Sequence, residues 1–96
     1  MNIDIQRTDD SLVIKLSGDL DHHAAGKVFE SFTALPEALP RRCTLDLGGV
    51  TFMDSSGIAV VLGLRRRLSY IGAELSVVNA PAQAMRVFRA AGMKEI

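Results

Sequence analysis

The sequence predicts a small α/β domain with a mixed, mostly parallel sheet and helices packed against it. Three observations carry that prediction. Segments with period-two alternation of apolar residues are interleaved with segments whose apolar residues recur every three or four positions. The resulting order is strand, strand, helix, strand, helix, strand, helix, and crossovers of that kind imply parallel pairing. The two opening strands adjoin without a helix, which makes the sheet mixed rather than purely parallel. The chain of 96 residues suits one domain, and such a length buries roughly 60–65% of its extended surface.

The elements follow in order. Ile3 to Arg7 is a short candidate strand turned at Asp9-Asp10. Ser11 to Ser17 is a better one, with Leu12, Ile14 and Leu16 on one face, and Gly18 is expected to end it. Asp21 is placed to cap a helix from His22 to about Leu35, whose stripe is Ala25, Val28, Phe29, Phe32 and Leu35. Pro36 and Pro40 bracket the connection to a strand around Cys43 to Leu47, and Gly48-Gly49 is expected to open the next turn. A second helix should run from about Ser56 to Ile71 on Ile58, Val61, Leu62, Leu64, Leu68 and Ile71, stopping at Gly72. Gly63 costs that helix roughly 1 kcal/mol against alanine. Close packing is the first explanation for it, a partner's approach the second. Glu74 to Asn79 is the last strand. Pro81 is placed in the first turn of a third helix that ends before Gly92, with Ala84, Met85, Phe88 and Ala91 as its stripe.

Composition excludes several function classes. The chain is 48% hydrophobic and 23% charged, which supports a core and argues against disorder. Eleven basic and eleven acidic side chains leave no net charge, where a general nucleic-acid binder would carry a basic excess. The N-terminus lacks the basic head and apolar run of a signal peptide, and no segment approaches a membrane span. Cys43 is alone, so neither a disulfide framework nor a cysteine-rich zinc site forms within one chain. The domain is expected to be cytoplasmic.

The most informative stretch is Phe52-Met53-Asp54-Ser55-Ser56-Gly57 before the apolar run Ile58 to Leu62. It sets small hydroxyl side chains where a turn hands over to a helix, and free N–H groups there accommodate an anion. An ordinary N-cap explains Asp54, Ser55, Ser56 or Gly57 equally well, with one serine serving the helix and the other facing solvent. Phosphorylation of a serine is the sharper reading. Hydrolase chemistry is not supported: the Gly-x-Ser-x-Gly elbow is absent, and His22 and His23, the two imidazoles, start a different helix. Asp19, Asp21 and Asp54 are explained by capping and surface charge without a cation. Gly48-Gly49 is no phosphate loop. Arg65-Arg66-Arg67 is the single basic cluster, read first as a solvated helix face and second as a partner contact. No catalytic residue, cofactor or metal site is expected.

Leu16-Ser17-Gly18-Asp19-Leu20-Asp21-His22-His23-Ala24, Leu45-Asp46-Leu47, Phe52 to Ile58 and Val87 to Met93, at their observed spacing, make the chain resemble a STAS domain. The resemblance is to anti-sigma factor antagonists of the bacterial sporulation type and covers nearly the whole of residues 1–96. It implies a non-catalytic binding module. Such proteins bind an anti-sigma factor that is also a serine kinase, using its own magnesium–ATP, and so release a sigma factor. Phosphorylation of one serine, at the position of Ser56, abolishes that binding, and a serine phosphatase restores it. The resemblance also implies that Asp54, Ser55 and Gly57 support the loop and kinase docking, with Asp21 and His22 on the same partner surface. Related chains continue past the Gly92 to Ile96 segment into a short strand and a terminal helix. The alternative is a STAS-type scaffold in another cytoplasmic or transporter-associated complex.

Overall fold

The computed structural model describes residues 1–33 and 41–92. Its strands are β1 (Asn2–Arg7), β2 (Ser11–Leu20), β3 (Arg42–Met53) and β4 (Glu74–Val78), and its helices α1 (His22–Thr33), α2 (Ser55–Tyr70) and α3 (Ala82–Ala90). The four strands lie in the order β1-β2-β3-β4. β1 runs antiparallel to β2, while β2, β3 and β4 are parallel, so the sheet is mixed and mostly parallel. The hairpin between β1 and β2 closes through Thr8, whose N–H donates to the Ser11 carbonyl at 2.9 Å.

One face of the sheet makes the core. β2 buries Leu12, Ile14, Leu16 and Leu20; β3 buries Cys43, Leu45, Leu47 and Met53; β4 buries Leu75 and Val77. Val28 and Phe32 of α1, Val61, Leu64 and Leu68 of α2, and Ala84 and Phe88 of α3 close over them. Among the described residues no polar or charged side chain is buried, so the core is held by apolar burial and close packing.

Both central strands run further than their local signals suggest. Gly18 does not end β2: at φ +100° it carries the chain through an irregularity, and pairing resumes to Leu20. Gly48-Gly49 opens no turn either. The register moves from Lys15↔Asp46 to Ser17↔Gly49, which inserts an extra β3 residue as a bulge. Gly49 is required there, because a Cβ would stand 2.6 Å from the Ser17 Cβ.

Helix limits and faces also differ in detail. Phe29 is not in the core stripe but 46% exposed, and Ala24 takes an interior place instead. Ile71 is the C-cap of α2 and is exposed. Gly72, at φ +80°, stops α2: its N–H donates to the Ser69 carbonyl, and the Ala73 N–H donates to the Leu68 carbonyl. Pro81 precedes the first turn of α3 as its N-cap residue, and Ala91 is exposed as its C-cap. Gly63 permits no close packing, since a Cβ there would meet nothing within 4 Å. Leu35, Pro36, Pro40 and the segment from residue 93 lie outside the described residues.

Candidate functional site

The parallel strands β2 and β3 end side by side, at Leu20 and Met53, and each passes through a single aspartate into a helix. Asp21 caps α1: its Oδ1 accepts from the Ala24 N–H at 3.0 Å. Asp54 caps α2 in the same way, Oδ1 accepting from the Gly57 N–H at 3.0 Å. The second oxygen of Asp54 accepts from the His22 N–H at 3.2 Å, across 32 positions of sequence. One carboxylate thus ties the first turns of both helices together. Their aligned peptide dipoles give that end of the molecule a partial positive charge.

Gly57 holds the junction closed. A Cβ there would stand 2.3 Å from the Leu20 carbonyl oxygen and 2.9 Å from the Leu20 Cγ. The helix therefore starts against the end of β2, which a side chain would prevent. The Asp54 N–H faces the same Leu20 carbonyl at 3.4 Å.

The cap assignment left open among Asp54, the two serines and Gly57 falls to Asp54, so neither serine serves the helix. Ser55 is exposed and Ser56 half-buried. Among the described residues, no buried side-chain oxygen or nitrogen lacks a hydrogen-bond partner. Among the described residues the Ser56 hydroxyl has no hydrogen-bond partner, so its oxygen must reach solvent. It is a free hydroxyl in the first turn of a helix. That position accepts an added phosphate electrostatically, and the Asp54 carboxylate beside it opposes one.

Of the residues singled out in the sequence, Asp21, His22, Asp54, Ser55, Ser56 and Gly57 come together at this one end. His22 and His23 are exposed, their rings edge-to-face at 5.9 Å. The N–H of Ala24 holds the Asp21 carboxyl below its ordinary value, with His23 adding a smaller Coulombic pull. Asp19 sits apart from the caps and accepts the Thr51 hydroxyl at 2.6 Å. Among the described residues no cluster of three or more His, Cys, Asp or Glu side chains could hold a metal ion.

Two supporting residues were given no role by the local patterns. Gln83 of α3 donates to the Met53 carbonyl at 2.9 Å, fixing the strand end just before the cap. Phe52 is 51% exposed beside the junction, where an aromatic ring offers a partner apolar surface. Gln83 has no local signature because it acts from 30 positions away, and Phe52 lies past Gly48-Gly49, where the strand is expected to end. A separate cavity of about 410 Å³ opens between Lys15, Ser17, Asp46, Gly48 and Asn79, away from the serines. Two of its polar side chains bond each other: Asp46 accepts from Gly48 N–H at 2.8 Å and from the Asn79 amide at 3.1 Å.

Comparison with known proteins points one way. The STAS-domain family model matches residues 2–96. An anti-sigma F factor antagonist of Lysinibacillus sphaericus is 32% identical over 87 residues, spanning 90% of this chain and 74% of the relative. The anti-sigma factor antagonist SpoIIAA in its unphosphorylated form superimposes with a TM-score of 0.82 at 28% identity, covering 99% of this chain and 87% of that one. The phosphorylated form of the Bacillus cell fate determinant SpoIIAA gives a TM-score of 0.81, also at 28% identity, covering 99% and 91%.

Proposed function

The chain belongs to the STAS family of anti-sigma factor antagonists, and on that premise we propose that Ser56 is its regulatory serine. Its function is that of a phosphorylation-regulated, non-catalytic antagonist. Its partner type is an anti-sigma factor kinase, opposed by a phosphatase. In the proposed cycle the unmodified chain binds the kinase and frees a sigma factor. The kinase then uses its magnesium–ATP to phosphorylate Ser56, and the modified chain dissociates until a serine phosphatase restores it. Asp21, His22, Asp54 and Ser55 form the surface the kinase reads, while Gly57, buried beneath them, holds the junction closed.

The observation that carries this reading is the free, solvent-reaching Ser56 hydroxyl at a junction whose cap is supplied by Asp54. Modifying Ser56 removes no hydrogen bond from the fold. The modification adds about 1.5 to 2 negative charges and three acceptor oxygens. The helix dipole offsets part of that charge within the molecule, so the fold survives. A kinase surface fitted to a neutral hydroxyl meets a dianion beside Asp54, and binding is lost by repulsion and unpaired desolvation.

Incubation with the source organism's anti-sigma kinase and magnesium–ATP, followed by intact mass and site mapping, tests the assignment. One phosphate on Ser56, absent in Ser56→Ala, is the expected result. A phosphate mapped to Ser55, or none with a kinase active on a control substrate, rejects it.

A further inference from the structure

A second surface lies at the other end of the helix pair. A groove of about 470 Å³ is lined by Phe29 of α1 and by Gly63, Arg66, Arg67, Tyr70 and Ile71 at the end of α2. Tyr70 stands some 14 residues beyond Ser56, about 21 Å along a helix at 1.5 Å per residue. The groove is therefore distinct from the phosphorylation site.

Three features here have no use within the fold. Tyr70 is 92% exposed, and Phe29 and Ile71 are about half exposed, so three large apolar groups face water together. Gly63 weakens the helix interior without any neighbour that requires it, because a Cβ would meet open space. That vacancy lies in the wall of the groove that Phe29 and Tyr70 also line. Arg65 is spent on the end of α3, donating to the Ala91 carbonyl at 2.7 Å and to the Gly92 carbonyl at 3.2 Å. Arg66 and Arg67 are exposed and have no carboxylate or carbonyl partner among the described residues.

We propose that this groove docks a short acidic segment of a partner protein, with an aromatic or leucine side chain as its anchor. Apolar walls with a bare backbone strip at Gly63 suit a single inserted side chain. The two guanidinium forks beside it match carboxylates bidentately. A membrane surface fits less well: lipid-binding patches gather about four to eight basic residues, and here two arginines flank a concave slot. The docking is independent of the Ser56 switch, so a partner can be held by the helix end while the serine end is modified.

The test is a displayed library of random peptides selected on the full chain, with the enriched peptides then titrated in solution. Enriched sequences should combine Asp or Glu with an aromatic or leucine residue. Their affinity should fall by about tenfold or more, some 1.4 kcal/mol, in the double variant Arg66→Glu, Arg67→Glu. It should fall similarly in Gly63→Leu, whose Cβ enters open space and whose branched end occupies the groove. Circular dichroism should show both variants folded, and Ser56→Asp should leave the affinity unchanged. Failure to enrich, enrichment of neutral or basic sequences, or affinities indifferent to both variants overturns the proposal. So does charge-dependent sedimentation with phosphatidylcholine–phosphatidylglycerol vesicles in the absence of peptide binding.

Discussion

Replacing Gly57 and Gly63 by alanine, one at a time, should change stability in opposite directions although both lie in α2. At Gly57 the new methyl group would stand 2.3 Å from the Leu20 carbonyl oxygen and 3.1 Å from the Met53 Cγ. The nearer atom is backbone, so the helix start or the end of β2 must move. Overpacking of this kind costs about 1–3 kcal/mol, and a rigid obstacle puts Gly57→Ala near 3. Alanine's better helix propensity returns about 1 kcal/mol, leaving a net loss of about 2. At Gly63 nothing lies within 4 Å, so only the propensity gain of about 1 kcal/mol remains. For a domain of this size each kcal/mol moves the thermal midpoint by roughly 4–8 °C. Gly57→Ala should melt about 8–16 °C lower than the parent, and Gly63→Ala about 4–8 °C higher, in calorimetry or thermal circular dichroism. Shifts of the same sign would refute the reasoning that Gly57 is fixed by contact and Gly63 is not.

Three further outcomes follow from the same geometry. Asp54→Ala removes the cap on Gly57 and the link to the His22 N–H, and should cost about 2 kcal/mol in urea unfolding; Asp54→Asn, which keeps the cap, should cost about half as much. The Asp21 carboxyl is held below its ordinary 3.8 by the Ala24 N–H, so its contribution to stability is complete above that pH and lost as pH falls through the folded-state value. NMR titration should therefore place its midpoint below 3.8, and Asp21→Asn should flatten the acid limb of stability against pH. Burial pushes the Cys43 thiol up to about 11 from 9.0, which favours the neutral form on folding. Iodoacetamide at mildly alkaline pH should label the native protein only as fast as it unfolds, and that stability contribution should disappear between pH 9 and 11.

What the sequence made legible was whatever depends on near neighbours. Leu12, Ile14 and Leu16 alternate and are all buried, and Gly72 stops α2 through hydrogen bonds that span a few residues. Long-range geometry was hidden. Gly18 and Gly48-Gly49 carry the same local signal whether they make a turn or a bulge, and only the pairing of β2 with β3 decides for the bulge. Phe29 fits a helical stripe by spacing, yet it lies outside the core. At the junction, Asp, Ser and Gly are interchangeable as caps by preference. The bond from the Gly57 N–H makes Asp54 the cap, and its second oxygen reaches His22, a contact no window of sequence contains. The grouping of Asp21, His22 and Ser56 was accessible through family resemblance, while Gln83 and the groove at Phe29 and Tyr70 required the fold.

The central claim is that charge on Ser56, and not a change of fold, controls partner binding. It is tested most directly by calorimetric titration of the anti-sigma kinase with unmodified chain, Ser56-phosphorylated chain and Ser56→Ala, each with its amide NMR spectrum. Unmodified chain and Ser56→Ala should bind alike. The phosphorylated form should bind about 100-fold or more weakly, near 2.7 kcal/mol, with spectral changes confined to the first turns of α1 and α2. Equal affinities for the phosphorylated and unmodified chains would contradict the account, as would loss of binding accompanied by spectral changes throughout the sheet.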